Sequence, residues 1–158
     1  MAARTFKIGD LLEIKTAKGF AYAQLTHMHD TYGTLLRVLP GLYESRPDDI
    51  SALADQREQY VAFVALPGLM KSGALSVINN VPVPEWARKF PLFRTGTPGL
   101  KTTVVDNWSL WDGERSWKVG KLTDDQRLLP KRGIWGDQFL IDRLESGWLP
   151  DPADERAV

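Results

Sequence analysis

Hydrophobic positions along this chain keep mostly to strand spacing, and the first half reads as a series of strands. The string FKIGDLLEI, 6–14, is a strand that can bend at Gly9. Ala17, Lys18 and Gly19 make a turn into FAYAQLTHMH, a second strand. Alternation puts Phe20, Tyr22, Gln24 and Met28 on one face, and Ala21, Ala23, Leu25, His27 and His29 on the other. Asp30 to Gly33 form a turn, and 34–40, TLLRVLP, form a third strand. Pro47, Asp48 and Asp49 open a short helix that runs through Leu53. Residues 59–66, QYVAFVAL, are nearly continuous apolar sequence rich in β-branched and aromatic side chains, which predicts a central strand covered on both faces. Pro67 and Gly68 end it, and 69–73 is one helical turn or a tight loop. ALSVINNV is a further strand, after which Pro82 and Pro84 hold VPVP extended and unpaired at an edge. The breakers Pro91, Gly96, Pro98 and Gly99 make 85–103 a long surface connection.

Beyond it the character changes. The stretch 104–148 holds Trp108, Trp111, Trp117, Trp135 and Trp148, five of the six tryptophans. Asp112-Gly113 suits a two-residue hairpin turn between strand-like runs. That turn sets Trp111 opposite Glu114, Leu110 opposite Arg115, Ser109 opposite Ser116 and Trp108 opposite Trp117. One face then carries Trp108, Leu110, Trp117 and Val119, with Trp108 and Trp117 as a cross-strand aromatic pair. The other carries Asn107, Ser109, Trp111, Glu114, Ser116 and Lys118. Trp111 is thus an aromatic on a polar face, either covered by a loop or helix or presented as an anchor for a partner. Thr123-Asp124-Asp125-Gln126 has the form of a capping box, and Pro130 ends the short helix it starts. A second helix runs from about Gly136 to Ser146, with Leu140, Ile141, Leu144 and Trp148 near one side and Gly147 as its stop. The tail from Asp151 is polar, Pro-interrupted and expected to be mobile.

Length and composition narrow the classes. A chain of 158 residues with 43% hydrophobic residues can bury a sizeable core. We read 1–150 as a single domain, with a β-rich part over 6–84, the connection 85–103, the Trp-rich hairpin and helices over 104–150, and a flexible tail over 151–158. Lys and Arg balance Asp and Glu for a formal net charge of zero, which argues against a dedicated nucleic-acid binder. The six tryptophans could otherwise stack single-stranded bases. No cysteine is present, so no disulfide or thiolate metal site is available. The N-terminus lacks an apolar signal core, and no run approaches a membrane span, so a cytoplasmic protein is expected.

Candidate chemistry is sparse. His27 and His29 are the only histidines, and their spacing on a strand would suit a metal ion or proton shuttle if further ligands came from elsewhere. Surface histidines explain the pair as well, and we assign no metal site. No nucleophile elbow or phosphate loop occurs. We therefore expect no catalytic residue, no cofactor and no enzyme activity.

The strings FKIGDLLEI, FAYAQL, QYVAFVAL, SVINNVPVPE, WSLWDGERSWKVGKLTDDQRLLPKRGIW and RLESGW together resemble the Immunity protein 26 family, over 6–148. The resemblance implies a bacterial protein that binds and neutralises a cognate toxin of a polymorphic toxin system. It carries no catalytic residue over and does not say which surface meets the toxin. The expected fold is α+β and mostly β. It has a strongly bent antiparallel sheet or partly open barrel and two or three short helices, with the C-terminal helix packed on the sheet. The expected partner is the toxin, with neither membrane nor nucleic acid involved, and its contacts are placed at Ser109, Trp111, Glu114 and Lys118. The alternative is a small-ligand or nucleic-acid binding domain.

Overall fold

A computed structural model describes residues 5–158. Among them are nine strands and three α-helices, so the chain is α+β and mostly β. Within the span read as one domain, the chain folds into two compact units. The larger takes the chain up to Lys89 and returns for Ile134–Trp148, while the smaller takes Phe90–Gly133 and Leu149–Val158.

In the larger unit, β1 (Asp10–Thr16), β2 (Gly19–His29), β3 (Gly33–Val38), β4 (Tyr60–Val64), β5 (Leu75–Asn80) and the two-residue β9 (Ile134–Trp135) form one sheet in the order β5-β1-β2-β3-β4-β9. Every neighbouring pair is antiparallel except β4 with β9, which is parallel. The sheet is therefore mixed and does not close into a barrel. Its helices are α1 (Ile50–Ala54), α2 (Leu66–Ser72) and α3 (Asp137–Ser146). Helix α1 starts later than Pro47 suggests, because Asp49 is its cap and accepts the Ala52 N–H at 3.1 Å. Of the two readings of 69–73, the helix is the one adopted. Helix α3 matches its expected span and closes at Gly147.

Both faces of this sheet are covered, which explains the unbroken apolar run of β4. On one face Leu12, Ile14, Ala23, Leu25, Leu36 and Val64 pack with Leu66 and Leu69 of α2 and with Leu140 and Leu144 of α3. On the other, Leu11 and Tyr22 pack with Leu39 and with Leu53 of α1. Small alanines at 21 and 23 let the first layer approach the strand closely. At the start of the sheet the backbone turns at Gly9, with φ of +94° and the Val81 carbonyl only 2.6 Å from where a Cβ would stand.

The expected faces of β2 hold only to Leu25. A bulge intervenes, so that Leu25 pairs with Leu36 while His27 pairs with Leu35. The extra residue, Thr26, breaks the alternation. His27 and His29 consequently leave the face of Ala21, Ala23 and Leu25. His29 instead meets the ring of Phe63, centroids 6.2 Å apart, and the Tyr32 ring at 5.5 Å.

A polar pair crosses the sheet inside the second layer. Gln24 and Arg37 are partners across β2 and β3, and neither is exposed. The Arg37 Nε–H donates to Gln24 Oε1 at 2.8 Å, and its other nitrogens donate to the carbonyls of Gln56, at 2.8 Å, and of Ala54. Gln24 Nε2 donates in turn to the carbonyls of Gly9 and Val81. The Glu58 carboxylate comes within 3.9 Å of the guanidinium, and the Asp55 charge also acts on it. Burial pulls the Arg37 pKa below its usual value, and the Glu58 charge opposes this.

Arg143 of α3 is held differently. Its guanidinium lies 3.8 Å from the ring centre of Trp148, 4.1 Å from Phe139 and 4.5 Å from Trp135. Each such contact is worth roughly 0.5–2 kcal/mol.

In the smaller unit, β6 (Phe93–Thr95), β7 (Trp108–Trp111) and β8 (Ser116–Gly120) form an antiparallel sheet in the order β6-β7-β8. Val105, Trp108, Leu110 and Leu122 are its core, with Val119, Leu129 and Ala157 against them. The stretch 85–103 is thus more than a connection, since it supplies β6 with the buried Phe93 and Arg94.

Arg37→Leu keeps the site apolar but strands Gln24 Oε1 and two backbone carbonyls. It should lower the unfolding free energy by about 3–5 kcal/mol. The urea midpoint at unchanged slope reads this out. A loss below roughly 1 kcal/mol would mean that those acceptors find water instead.

Candidate functional site

The hairpin expected at Asp112-Gly113 exists, with a wider turn. The Asp112 carboxylate accepts the N–H groups of Glu114, at 2.9 Å, and Arg115, at 2.7 Å, while the Asp112 N–H donates to the Arg115 carbonyl at 3.1 Å. This aspartate-centred turn spans 112–115, so four residues rather than two separate the strands. The Arg115 and Glu114 amides also hold the Asp112 carboxyl below the usual carboxylate range. Gly113 has φ of +102°, and a Cβ there would lie 2.8 Å from the Phe90 ring.

The register moves accordingly. Trp111 pairs with Ser116, Leu110 with Trp117 and Ser109 with Lys118, and a bulge sets Trp108 opposite Gly120. The partners of Trp111, Leu110 and Ser109 each move by two residues, an even number, so these side chains keep the faces alternation assigns to them, and the bulge adds one more residue at Trp108. The Trp108–Trp117 pair does not form. Trp108 is buried under the Arg94 guanidinium, 5.2 Å away, while Trp117 stands 42% exposed.

Of the four residues placed at a partner surface, three share a face. Ser109 and Lys118 lie in one row with Thr95 of β6, and Trp111 lies in the next row with Phe93 and Ser116. Glu114 sits in the turn, exposed. Trp111 is only 5% exposed. Phe90 meets it edge-on at 5.7 Å, Phe93 at 5.5 Å, and the Arg132 guanidinium is 5.3 Å from its ring centre. With these neighbours against it, Trp111 does not present its ring to a partner. The exposed indole is that of Trp117, which strand pairing with Trp108 would have hidden. No local signal in the sequence marks it, because its exposure follows from the turn width.

The expected loose tail has definite partners. Val104 and Arg156 form a β-bridge, and the Val105 N–H donates to the Glu155 carbonyl at 2.9 Å. Arg94, 2% exposed, donates to the carbonyls of Leu129, at 3.1 Å, and Asp154, at 3.3 Å. The Asp154 carboxylate takes Arg156 at 2.8 Å and Lys131 at 3.1 Å. The capping box is complete. The Thr123 hydroxyl accepts the Gln126 N–H at 3.2 Å, Gln126 Oε1 accepts the Thr123 N–H at 3.0 Å, and one 3₁₀ turn follows.

Two clusters in the larger unit bear on chemistry. His27 bonds through Nε2 to the Arg88 carbonyl at 2.8 Å and through Nδ1 to the Thr26 hydroxyl at 2.9 Å, while His29 Nδ1 accepts the N–H groups of Thr31 and Tyr32. Among the described residues no group of three or more His, Cys, Asp or Glu side chains stands where it could hold a metal ion. Glu13 is gripped by Arg46, at 2.8 and 3.0 Å, and by the Tyr22 hydroxyl at 2.8 Å. Arg46, then Tyr22, hold its carboxyl low against the opposing effect of burial. A carboxylate so held is a fastener for the segment carrying Arg46 rather than a proton acceptor. Among the described residues no helix is long and apolar enough to cross a membrane. Compared with family models, curated proteins and solved structures, the chain finds no match.

The tail contacts make a pH prediction. Arg156, then Lys131, hold the Asp154 carboxyl well below its usual range. That stabilisation is complete above the unfolded carboxyl pKa of about 4 and is lost as pH falls toward the lower folded value. Asp154→Asn should therefore cost about 1 kcal/mol at pH 7. The gap between variant and wild type, measured by thermal unfolding, should narrow as the pH drops below about 4.

Proposed function

We propose that this chain is a bacterial immunity protein, which neutralises a cognate toxin by binding it directly in the cytoplasm and performs no chemistry of its own. Two things support the reading. One is the resemblance of 6–148 to the Immunity protein 26 family. The other is the exposed indole of Trp117 on β8, an edge strand of the smaller unit's sheet. A tryptophan left 42% exposed on an edge strand, three residues after the exposed turn residue Glu114, has the make-up of a binding anchor. The strand beneath it also has one hydrogen-bonding edge without a strand neighbour, where an incoming segment can add.

Glu114 remains in the proposal as a contact beside Trp117, while Ser109 and Lys118 lie on the opposite face of the sheet and meet the partner only where it wraps around the β8 edge. Trp111 takes a different role, holding β7 and β6 together beneath Phe90 and Arg132. It acts on binding only through the fold of its unit.

A growth-rescue assay tests this. Neighbouring reading frames are expressed one at a time in a sensitive host, with and without this chain. One frame should arrest growth and wild-type chain should restore it, with co-purification of the two products. Trp117→Ala should weaken toxin affinity about thirtyfold or more with an unchanged thermal midpoint, whereas Trp111→Ala should lower the midpoint. If no neighbouring frame is toxic, or rescue fails, the reading falls. If rescue holds and Trp117→Ala binds as tightly as wild type, the contact surface lies elsewhere.

A further inference from the structure

A groove of about 360 Å³ opens in the larger unit between the turn at Ile8-Gly9 and the extended stretch 80–83, with Arg88 on its lining. Two features of the backbone keep it open. Gly9 sits at φ of +94°, and a Cβ there would stand 3.2 Å from Asn80 Oδ1 as well as against the Val81 carbonyl. Pro82 and Pro84 hold the opposite wall extended and carry no N–H with which another strand could pair. Ile8 and Pro82 are both exposed, so the groove offers apolar walls directly to solvent.

Three polar groups on the lining have bonding capacity left over. Arg88 is fixed at its base, where its Nε–H donates to the Val83 carbonyl at 2.9 Å and its own carbonyl bonds His27 Nε2 at 2.8 Å. Its terminal nitrogens make no hydrogen bond or ion pair among the described residues. Glu85, three residues earlier, gives Arg88 only its backbone carbonyl. Asn80 donates through Nδ2 to the Ile8 carbonyl at 3.1 Å and to Asp10 Oδ1 at 2.9 Å. Both of its N–H groups are then used, and Oδ1 is left as a free acceptor among the described residues. Asp10 itself is 2% exposed and off the lining, with its other oxygen on the Lys7 N–H at 2.9 Å. The Val83 N–H donates to no group among the described residues. One groove therefore combines apolar walls, a forked cation, an amide acceptor and a backbone donor.

We propose that this groove binds the C-terminal end of a peptide whose last residue is apolar. The terminal carboxylate meets the Arg88 guanidinium end-on, through the two nitrogens that the Val83 carbonyl leaves free. The N–H of the last peptide group donates to Asn80 Oδ1, and a carbonyl of the peptide accepts the Val83 N–H. The last side chain lies against Ile8 and Pro82. A lone carboxylate would use Arg88 and leave the other two groups unmet, so the acceptor and donor beside the cation are what select a peptide. The site lies wholly within the larger unit, and its test needs no toxin.

The test uses the whole chain and three probes: the acetylated tripeptide glycyl-alanyl-valine with a free carboxylate, the same peptide as its C-terminal amide, and acetate. In ¹⁵N-resolved NMR titrations the free acid should shift the Gly9, Val81 and Val83 amides and the Arg88 Nε–H, with a Kd on the order of 1 mM or tighter. The amidated peptide and acetate should each bind about tenfold more weakly or worse, the first for want of charge and the second for want of a peptide group. Arg88→Gln should remove the preference for acid over amide. Ile8→Glu sets a negative charge at the mouth, on a side chain that is 56% exposed. It should weaken the free acid about tenfold or more while leaving the thermal midpoint unchanged. Equal binding of acid and amide, acetate as tight as the peptide, absence of shifts in the folded protein at about 10 mM free acid, or an unchanged free-acid affinity in either variant would each overturn the proposal.

Discussion

The hydrogen bonds of Arg37 tie the larger unit together. A buried guanidinium needs acceptors in several directions at once, and the acceptors it finds here belong to segments far apart in sequence. Ala54 and Gln56 offer the carbonyls at the end of α1, groups a helix leaves unpaired. Gln24 passes the connection on to Gly9 at the start of the sheet and to Val81 beyond β5. One charged side chain on β3 thereby fixes where a short helix ends, where the first strand begins and how the Pro-flanked edge lies. The packing around it excludes water, so every one of these bonds must form for the charge to be tolerated.

The smaller unit repeats this device with other parts. Arg94 on β6 is buried as completely and also collects loop carbonyls, from Leu129 and Asp154, while its flat side rests on Trp108. The three-stranded sheet of this unit is too small to order its connections by apolar burial alone. An arginine at the centre gives the irregular segments a common anchor, including the last residues of the chain. Arg143 adds a third setting, with its guanidinium against the aromatic faces of Trp148, Phe139 and Trp135. Lysine serves none of the three positions equally well, because only a planar, many-donor group meets these geometries.

What the sequence revealed, and what it hid, follows the range of the interactions involved. Signals carried by a few adjacent residues translated directly. The reciprocal bonds of Thr123 and Gln126, the Gly147 stop after α3 and the alternation of β2 up to Leu25 all depend on neighbours within a turn or a strand. The misreadings came where one residue changed the count. Thr26 as a bulge turned His27 and His29 to the other face, and the Asp112 carboxylate widened a two-residue turn to four, exposing Trp117 in place of a tryptophan pair. Strand β6 was hidden because Phe93 and Arg94 stand among proline and glycine, and only the facing Trp111 and Leu110 make a strand of them. Charge pairing across long sequence separations, such as Lys131 with Asp154, leaves no periodic trace at all. Of the candidate site, the face of Ser109, Trp111 and Lys118 was legible, but the depth at which Trp111 lies was not.

The order of the two units along the chain also governs how the protein can be assembled on the ribosome. The larger unit lacks β9 and α3 until Ile134–Trp148 has been made, and the smaller lacks its bridge to Val104 until Arg156 has been made. Neither unit is one uninterrupted stretch, so an emerging chain cannot finish the first before beginning the second. Five strands must wait, with the hydrophobic layer meant for Leu140 and Leu144 still uncovered, while more than forty residues of the other unit, Phe90–Gly133, are added. Vectorial synthesis therefore leaves both units unfinished until the chain has passed Gly133, and a chain that stalls before then exposes the aggregation-prone face of the sheet.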